Sequence, residues 1–367
     1  MKIVFTGGGT AGHIFPILAI VREIRDIYQG SNLKIYYAGP ENKHGEVLLA
    51  QENVKVVNIF CGKIRRYFSF ENITDALRVP IGIMQSIFWL FFTAPDVVFS
   101  KGGYGSFPIA VAAGFLRIPF ILQESDITPG LTSKITSRWA LEIFTSFPDT
   151  EFFPKDKTIC LGNPIRLSIL NGNKKDAQKT FNLHQKPLIL ILGGSQGSQT
   201  INQIIIEVLP DILDQFEIIH QTGIANQKQT QAEANVVLEK DQQQYYHPFA
   251  FLNEKQLGNA LSASDLVISR AGSGAIFEIT AVGKPMLLIP LLGSAQDHQV
   301  KNAYKVSDLG CCEVIEEQNL KPHLFMQRLK FLFECKENLA SMAKNSKIFG
   351  RPKATKIIAE YLYEYLT

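Results

Sequence analysis

The chain opens with MKIVFTGGGTAGHIFP, residues 1–16, in which a short apolar run leads directly into a cluster of glycines. Gly7, Gly9 and Gly12 have the GxGxxG spacing that lets the backbone turn sharply between a buried strand and a helix. The unpaired N–H groups at the start of such a helix favour an anionic ligand. A dinucleotide site also needs an acidic residue about 20 positions later. The second strand instead runs into Gly39 and a proline, which weakens an NAD site.

The same order of strand, glycine-rich loop and helix returns in the second half of the chain. Short apolar runs between helical patterns predict buried parallel strands. These runs are Ile3–Phe5, Lys34–Ala38, Val54–Ile59, Asp96–Phe99, Pro119–Leu122, Leu188–Leu192, Ile218–His220, Val267–Ser269 and Met286–Ile289. Between residues 145 and 187 the sequence is polar and rich in turn residues, so we place a domain boundary near Asn163. The pattern predicts an α/β protein in which a βαβ-like arrangement with a parallel sheet occurs in each half.

Composition excludes several classes of protein. The 367 residues carry a net charge of +3, which is too small an excess to indicate a nucleic-acid-binding surface. Five cysteines without CxxC spacing argue against a disulfide framework or a structural zinc site. The sequence has no DxD triplet and no Cys/His cluster, so we expect no metal ion and no cofactor. Because the start lacks an apolar signal-peptide core, we expect a cytosolic protein.

Two glycine-rich loops in the second half are candidates for a phosphate site. Ser195 lies in the first loop, where its hydroxyl can donate to a phosphate; an ordinary turn is the alternative. The second loop, residues 270–278, predicts a helix N-terminus that faces a diphosphate. Glu278 follows about one turn into that helix. Its carboxylate can accept two hydrogen bonds from a ribose diol, or can simply interact with the helix dipole.

Two further candidate loops follow strands in the first half. Lys101–Ser106 is a flexible loop at the carboxyl end of a strand, where open α/β sheets bind ligands. In the loop after Leu122, Glu124 and Asp126 are candidates for a base or for sugar contacts, although helix capping is the alternative for Asp126. His13 lies just past the first glycine loop. It is either a general base or a histidine held by local hydrogen bonds.

Residues 79–95 contain no charged side chain and are rich in Ile, Phe and Trp. The stretch is too short to span a membrane. Lys63, Arg65, Arg66 and Arg78 precede it, and this combination predicts a surface that docks on an anionic membrane. A wholly buried helix is the alternative. The chain's tail, residues 351–366, predicts a helix whose apolar stripe is formed by Ile357, Ile358, Tyr361, Leu362 and Tyr365.

With these motifs in view, the chain resembles the MurG family, the UDP-N-acetylglucosamine–N-acetylmuramyl-(pentapeptide) pyrophosphoryl-undecaprenol N-acetylglucosamine transferases. Five motifs carry the resemblance in order, namely Gly7–Pro16, Lys101–Tyr104, Leu161–Arg166, Gly193–Gly197 and Arg270–Glu278. The resemblance implies a GT-B fold, with two Rossmann-like domains whose parallel sheets face across a cleft. It also implies that the first domain is residues 1–163 plus the helix in 351–367, and that the second is residues 164–350.

The resemblance implies a hexosyltransferase that moves GlcNAc from UDP-GlcNAc to the C4 hydroxyl of lipid I, a polyprenyl-pyrophosphoryl-MurNAc-peptide, in peptidoglycan synthesis. The donor contacts would be Thr10, Ala11, Gly12, Asp126, Arg166, Ser195, Leu252, Ser273, Gly274, Ala275, Ile276, Phe277, Glu278, His298 and Gln299. The acceptor contacts would be Gly9, Gly102, Gly103 and Tyr104. His13 and Glu124 would be the catalytic residues. The protein would work on the cytoplasmic face of the cell membrane, as a peripheral protein.

The motifs also differ from the family pattern in two places. Residues 123–126 read Gln-Glu-Ser-Asp where His-Glu-Gln-Asn is common, so that Asp126 replaces a neutral amide. His298 stands where some members have Gln. Other GT-B enzymes remain alternatives, either a glycolipid glycosyltransferase or a nucleotide-sugar epimerase. An NAD oxidoreductase and a non-catalytic scaffold are more distant ones.

Overall fold

The structure, a computed structural model, describes residues 1–62, 71–150, 152–194 and 196–366. The chain divides into two compact units. The first unit contains Met1–Ile165 and Lys353–Thr367, and the second contains Arg166–Pro352. The chain therefore leaves the first unit once and returns to it near its end.

Each unit is built around one sheet, and every strand pairing in it is parallel. In the described part of the first unit the strands are β1 Lys2–Thr6, β2 Lys34–Gly39, β3 Lys55–Asn58, β4 Val97–Ser100, β5 Phe120–Glu124, β6 Glu142–Thr145 and β7 Thr158–Cys160. Those described in the second unit are β8 Leu188–Leu192, β9 Glu217–Gln221, β10 Tyr246–Phe249, β11 Leu266–Ser269, β12 Met286–Leu288 and β13 Cys312–Val314.

Helices alternate with the strands along most of the chain, as parallel sheets require. Within the described residues they are α1 Ala11–Ile27, α2 Lys43–Gln51, α3 Glu71–Thr93, α4 Phe107–Leu116, α5 Leu131–Thr136, α6 Lys174–Phe181, α7 Gln199–Leu213, α8 Gln227–Val237, α9 Glu254–Ala263, α10 Ser273–Val282, α11 His298–Asp308, α12 Pro322–Glu334, α13 Lys336–Phe349 and α14 Ala354–Glu364.

The order of the strands in both sheets is that of a doubly wound fold. In the first unit the order is β3-β2-β1-β4-β5-β6-β7, and in the second it is β10-β9-β8-β11-β12-β13. The strand order reverses beside β1 and beside β8. At such a reversal the loops that leave the carboxyl ends of the strands diverge, and ligands bind there. Each of these two strands is followed by one of the predicted glycine-rich loops.

Apolar layers cover both faces of the first sheet, as expected for parallel strands. Side chains alternate along β1, so that Ile3 and Phe5 lie in one buried cluster with α1 and α14, whereas Val4 lies in the other with α4. In the second unit one buried cluster includes α7, α12 and the strands β8, β9, β11 and β12. These layers hold the strand ends rigidly in place.

The nine predicted strands are all present, with ends that differ by at most two residues at either end. The pattern did not predict β6, β7, β10 and β13. Three of these are the last strands of a sheet, and each has no more than four residues. Edge strands have a neighbour on one side only, so they do not need the continuous apolar run by which buried strands are recognised.

The C-terminal helix α14 packs on α1, but its apolar stripe is narrower than the sequence indicates. Ile358 and Leu362 are fully buried in the core of the first unit. Tyr361 is half-buried, with its ring 5.3 Å from that of Phe144. Ile357, however, is 41% exposed, so the prediction that it faces the core was wrong. Ile357 precedes buried Ile358 in the chain, so its side chain leaves α14 on a different side, towards solvent.

We expect Leu362→Ala to lower the free energy of unfolding of the first unit by about 2–5 kcal/mol, since it leaves a cavity in a closed core. Ile357→Ala, on the same helix, should change it by less than about 0.5 kcal/mol. Urea unfolding followed by tryptophan fluorescence measures this unit specifically, because both tryptophans, Trp89 and Trp139, belong to it. Equal losses in the two variants would contradict this account of α14.

Candidate functional site

The loop after β1 holds His13 at the start of α1. Thr10 is the residue before that helix, and its Oγ1 lies 2.8 Å from His13 Nδ1. The His13 ring also lies over the glycine backbone, because a Cβ atom at Gly8 would be only 2.9 Å from it. Glycine is therefore required there for the ring to adopt this position. The side chain of Asn42 supports the loop by donating to the carbonyl of Gly9 at 2.8 Å.

The loop after β4 approaches the same histidine. Gly103 has φ +80°, a conformation that L side chains rarely adopt. A Cβ atom at Gly103 would lie 3.0 Å from His13 Nε2 and 3.1 Å from the backbone nitrogen of Gly8. The two predicted glycine loops of the first unit thus meet at His13. Tyr104 follows them and begins a short 3-10 helix, Tyr104–Ser106.

The loop after β5 folds back on Glu124, which is only 6% exposed. Its Oε1 accepts from the backbone N–H groups of Ser125 at 2.9 Å and Asp126 at 3.2 Å, and its Oε2 accepts from that of Gly130 at 3.4 Å. A carboxylate that accepts several backbone N–H groups is held in one orientation. The glycine loop after β4 is close by, since a Cβ atom at Gly102 would lie 3.9 Å from Glu124 Oε2.

The surroundings of Glu124 place its titration close to neutral pH. Burial, and after it the charge of Asp126, raises the pKa of Glu124 to about 7. The Ser133 hydroxyl, the backbone N–H of Asp126 and the charge of Lys101 act in the opposite direction and limit this rise. A carboxyl group with such a pKa can exchange a proton at neutral pH, which general acid–base catalysis requires.

Lys101 is a residue of this site for which the sequence predicted no role. It is 2% exposed, and its Nζ donates to the side-chain oxygens of Gln123, of Ser125 at 2.6 Å and of Asn163 at 2.9 Å. Burial lowers the pKa of Lys101 to about 7, although the charges of Glu124 and Asp126 oppose this shift. The signal in the sequence was a lysine directly after an apolar strand, where its side chain is buried along with the strand end.

In the second unit the structure joins two predicted ligands of the donor to each other. Arg166 Nε and one terminal nitrogen of its guanidinium donate to the two carboxylate oxygens of Glu278, both at 2.8 Å. Both side chains are largely buried, with exposures of 8% and 13%. This two-point ion pair fixes the plane of the carboxylate. A carboxylate has about four acceptor positions, so those not facing Arg166 can still accept from a diol.

Helix α10 presents an open N-terminus. Gly272 precedes its first residue, and a Cβ atom at Gly272 or Gly274 would meet nothing within 4 Å. The first N–H groups of a helix have no partner within it and attract anions. By contrast, Ile276 and Phe277 are buried, and the Phe277 ring packs 5.2 Å from that of Phe349. Their side chains anchor the helix and do not face a ligand.

The other predicted donor residues of the second unit are held by local hydrogen bonds. Leu252 is fully buried, and its N–H donates to Gln221 Oε1 at 3.0 Å. Gln299 Oε1 accepts from the N–H of Leu291 at 3.0 Å, and the His298 ring lies 2.7 Å from the carbonyl of Ala295. The side chain of Leu252 is therefore closed off from solvent. Ser195 lies outside the described residues.

A second arginine that is largely buried, Arg270, connects the loops of the second unit. The sequence pattern predicted no role for it. It donates to Ser198 Oγ at 2.7 Å, to Glu317 Oε1 at 2.5 Å and to the carbonyl of Ile289 at 3.2 Å. Ser198 caps α7, directly after the glycine-rich loop. Arg270 thus links the loop that follows β8 to those that follow β11 and β12. The described residues contain no group of three or more His, Cys, Asp or Glu side chains that could hold a metal ion.

Comparison with known proteins identifies the family. Residues 3–145 match the glycosyltransferase family 28 N-terminal domain, and residues 188–358 match the glycosyltransferase family 28 C-terminal domain. Two relatives carry the name UDP-N-acetylglucosamine–N-acetylmuramyl-(pentapeptide) pyrophosphoryl-undecaprenol N-acetylglucosamine transferase. That of Treponema denticola is 36% identical over 100% of this chain and 98% of its own length. That of Clostridium botulinum (strain Langeland) is 37% identical over 98% of this chain and 99% of its own length.

Solved structures agree on the fold. The crystal structure of Acinetobacter baumannii MurG superposes with a TM-score of 0.75 at 24% identity, and 99% of each chain is covered. A UDP-GlcNAc 2-epimerase from Neisseria meningitidis superposes with a TM-score of 0.67 at 19% identity, over 99% of this chain and 100% of the epimerase. These likenesses confirm the predicted GT-B fold class. Because its similarity to the named transferases extends over the full length, the chain belongs to their family, the N-acetylglucosaminyltransferases of glycosyltransferase family 28.

Proposed function

We propose that this protein transfers GlcNAc from UDP-GlcNAc to the C4 hydroxyl of the MurNAc in a polyprenyl-pyrophosphoryl-MurNAc-pentapeptide, converting lipid I to lipid II in peptidoglycan synthesis. The observation that carries the proposal is the full-length identity of 36–37% to transferases whose names state this reaction. A bond forms between O4 of the acceptor and C1 of GlcNAc, and the bond from C1 to the diphosphate breaks. UDP leaves with the electron pair, and the configuration at C1 inverts.

The second unit supplies the donor site in this proposal. The N–H groups of Ser273, Gly274 and Ala275 bind the diphosphate and stabilise the charge that develops on UDP. Glu278 accepts from the ribose diol, and Arg166 holds its carboxylate in the orientation for doing so. The other proposed donor residues are Ser195, Leu252, Ile276, Phe277, His298 and Gln299. Of these, Leu252, Ile276 and Phe277 act by shaping the site, because their side chains are buried.

The first unit supplies the acceptor site and the base. Gly9, Gly102, Gly103 and Tyr104 bind the acceptor, while Thr10, Ala11, Gly12 and Asp126 reach the sugar of the donor. His13 takes the proton of the C4 hydroxyl. When its Nδ1–H donates to Thr10, Nε2 carries the lone pair that a base needs. Glu124 is the second catalytic residue, because it can change its charge near neutral pH.

An exposed apolar face on α3 supports docking on a membrane. It is formed by Leu77, Ile81, Met84, Phe88, Phe91 and Phe92, a row with helical spacing in which Phe92 is 79% exposed. The opposite side of α3 packs on α4, so the helix is not wholly buried. Trp89 is not part of the exposed face, since its ring packs edge-to-face on Tyr36 with centroids 5.7 Å apart. Aromatic side chains on such a face insert between lipid headgroups.

In the proposed reaction the polyprenyl chain of the acceptor stays in the bilayer, so the enzyme has to come to the membrane surface. We place it on the cytoplasmic face as a peripheral protein, held by the apolar face of α3 and by basic side chains. Arg78 is exposed beside that face, whereas Lys63, Arg65 and Arg66 lie outside the described residues. No helix in the described part of the chain has the length and apolar character needed to cross a membrane.

The reaction itself is tested with radiolabelled UDP-GlcNAc and a lipid I analogue. We expect a β-1,4-linked disaccharide on the lipid, formed only when both substrates are present. Conversion of UDP-GlcNAc to its 2-epimer without an acceptor would instead indicate an epimerase. Transfer to a different glycolipid with no transfer to the muramyl acceptor would indicate another GT-B glycosyltransferase.

Glu278→Gln should raise the KM for UDP-GlcNAc by about tenfold to 150-fold, because a charge-assisted hydrogen bond to the ribose is worth about 1.5–3 kcal/mol. Gln is used because its side-chain oxygen can still accept a hydrogen bond from the largely buried Arg166, whereas removing the side chain altogether would leave the guanidinium with no acceptor there. Steady-state kinetics with a fixed acceptor measure the change. The control is Glu207→Gln on α7, an exposed position. An unchanged KM in folded Glu278→Gln would remove the proposed ribose contact.

His13→Ala should reduce kcat by about 10²–10⁴, with a smaller effect on either KM, if His13 takes the acceptor proton. Thr10→Val keeps the ring but removes its partner at Nδ1, so we expect a smaller loss. Exposed His323 on α12 is the control, and His323→Ala should leave kcat unchanged. A loss of less than tenfold in His13→Ala would move the role of base to Glu124, Asp126 or water.

Wild-type protein should co-sediment with vesicles that contain anionic lipid, and less so at high salt. Replacing Ile81 and Phe88 by Ser removes two exposed apolar side chains, which should lower binding at least about tenfold. Arg65→Glu with Arg66→Glu should weaken binding further. Val236→Ser with Ile348→Ser removes exposed apolar groups from the second unit and should have no effect. All variants should still use a short-chain, water-soluble acceptor; binding that survives the changes in α3 would place the contact elsewhere.

A further inference from the structure

Lys101 brings together three separate segments of the first unit. Its ammonium group lies at the end of β4 and donates to Gln123 in β5, to Ser125 in the next loop, and to Asn163 beyond β7. Gln123 is itself oriented, because its Nε2 donates to Ser146 Oγ at 3.0 Å and to the carbonyl of Glu124 at 3.2 Å. The amide oxygen of Gln123 is therefore directed at Lys101. The ammonium group thus fixes the residues on both sides of Glu124 in the chain.

The three acceptors of Lys101 are neutral, so no direct carboxylate partner compensates its charge. The charged groups that act on it are Glu124 and Asp126, both on the loop that it holds. Glu124 in turn is affected by Lys101 from the loop after β4, by Asp126 from the loop that follows β5 and by the hydroxyl of Ser133 on α5. Asp126 opposes the ionisation of Glu124, whereas Lys101 favours it. The lysine therefore offsets both the burial of Glu124 and its negative neighbour.

A purely structural role would not require a charge at position 101. Burying an ammonium group costs free energy, and an apolar side chain of the same length would fill the same space without that cost. Direct binding of a substrate is also a poor explanation, since the side chain is 2% exposed and its three N–H groups already have three acceptors. What remains is an effect on Glu124, which lies in the chain between two residues whose side chains the ammonium group holds.

We infer that Lys101 is a positioning residue for Glu124: its buried ammonium group holds the loop around that carboxyl group and favours the ionised form of the carboxyl group. The catalytic use of Glu124 rests on the proposed function, but the electrostatic coupling of the two residues does not. At a pH near 7 the coupling decides which fraction of the enzyme has Glu124 in the form that accepts a proton or holds a sugar hydroxyl.

The direct test is the titration of Glu124, followed by NMR of the ¹³C-labelled carboxyl groups and assigned with Glu124→Gln. Lys101→Met removes a positive charge that favours the carboxylate, so the Glu124 signal should titrate about one pH unit higher than in wild type. Lys101→Arg retains a charge and should titrate closer to wild type. Lys284→Met is the matched control. It removes a partly buried lysine that donates to the carbonyls of Ser262 and Ser264 in the second unit, and should not move the signal.

Kinetics then show whether the coupling matters for turnover. The acid limb of the kcat/KM profile should move to higher pH in Lys101→Met, by the same amount as the NMR titration, so that activity at pH 7 falls about fivefold. In a Glu124→Gln background, adding Lys101→Met should cause no further movement of the limb. If Lys101→Met only disturbs the structure of the site, kcat/KM should fall at every pH while the acid limb of the profile stays at the same pH.

The possible outcomes separate the two proposals. A Glu124 titration that does not change in folded Lys101→Met overturns the inference, as does an equal change in Lys284→Met. A limb that still moves in the Glu124→Gln background shows that Lys101 acts through another group, which also overturns it. Should Lys101→Met fail to fold, Lys101→Gln provides the neutral variant. If Lys101→Met moves the titration of Glu124 but the wild-type protein transfers no GlcNAc, the proposed function is contradicted. The electrostatic effect of Lys101 on Glu124 is then still established.

Discussion

The parallel pairing of β4 between β1 and β5 is the constraint on which the site of the first unit depends. Thr6 at the end of β1 pairs with Ser100 at the end of β4, and Ser100 pairs in turn with Leu122 of β5. Three chain segments must therefore leave the sheet at one place. Crowding at that place accounts for the glycines beside His13 and for the burial of a lysine and a glutamate that directly follow or end strands.

The two units hold their polar groups by different means. In the second unit arginine and glutamate compensate each other directly, as in the pair of Arg166 with Glu278 and the pair of Arg270 with Glu317. Such pairs fix the geometry of both side chains and set an opposite charge directly beside each one. In the first unit the ammonium of Lys101 meets only neutral oxygens, so its influence on nearby carboxyl groups is less fully cancelled. The first arrangement suits binding of a constant ligand, and the second suits a group whose protonation changes during turnover.

Local pattern predicted the strands that lie inside the sheets, except β6, and the loops that follow them, because burial on both faces leaves a continuous apolar run. It also located the glycine-rich loops, because each of them directly follows such an apolar run. It could not predict that Arg166 binds Glu278, since the two lie 112 positions apart and only the fold brings them together. Nor could composition distinguish Trp89 from Phe88, because neighbouring residues of a helix differ in exposure only once its packing partner is known.

Helix α14 places a constraint on how the chain is made. Ile358, Leu362 and Leu366 complete the core of the first unit, yet in the chain they follow the whole of the second unit. At synthesis rates of about 5–20 residues per second, the nascent first unit waits roughly 10–40 s for this helix, with the apolar surface of α1 uncovered. The unit that emerges first from the ribosome is thus the last to close. Over that interval its solubility depends on chaperones, or on early packing within the incomplete sheet layers.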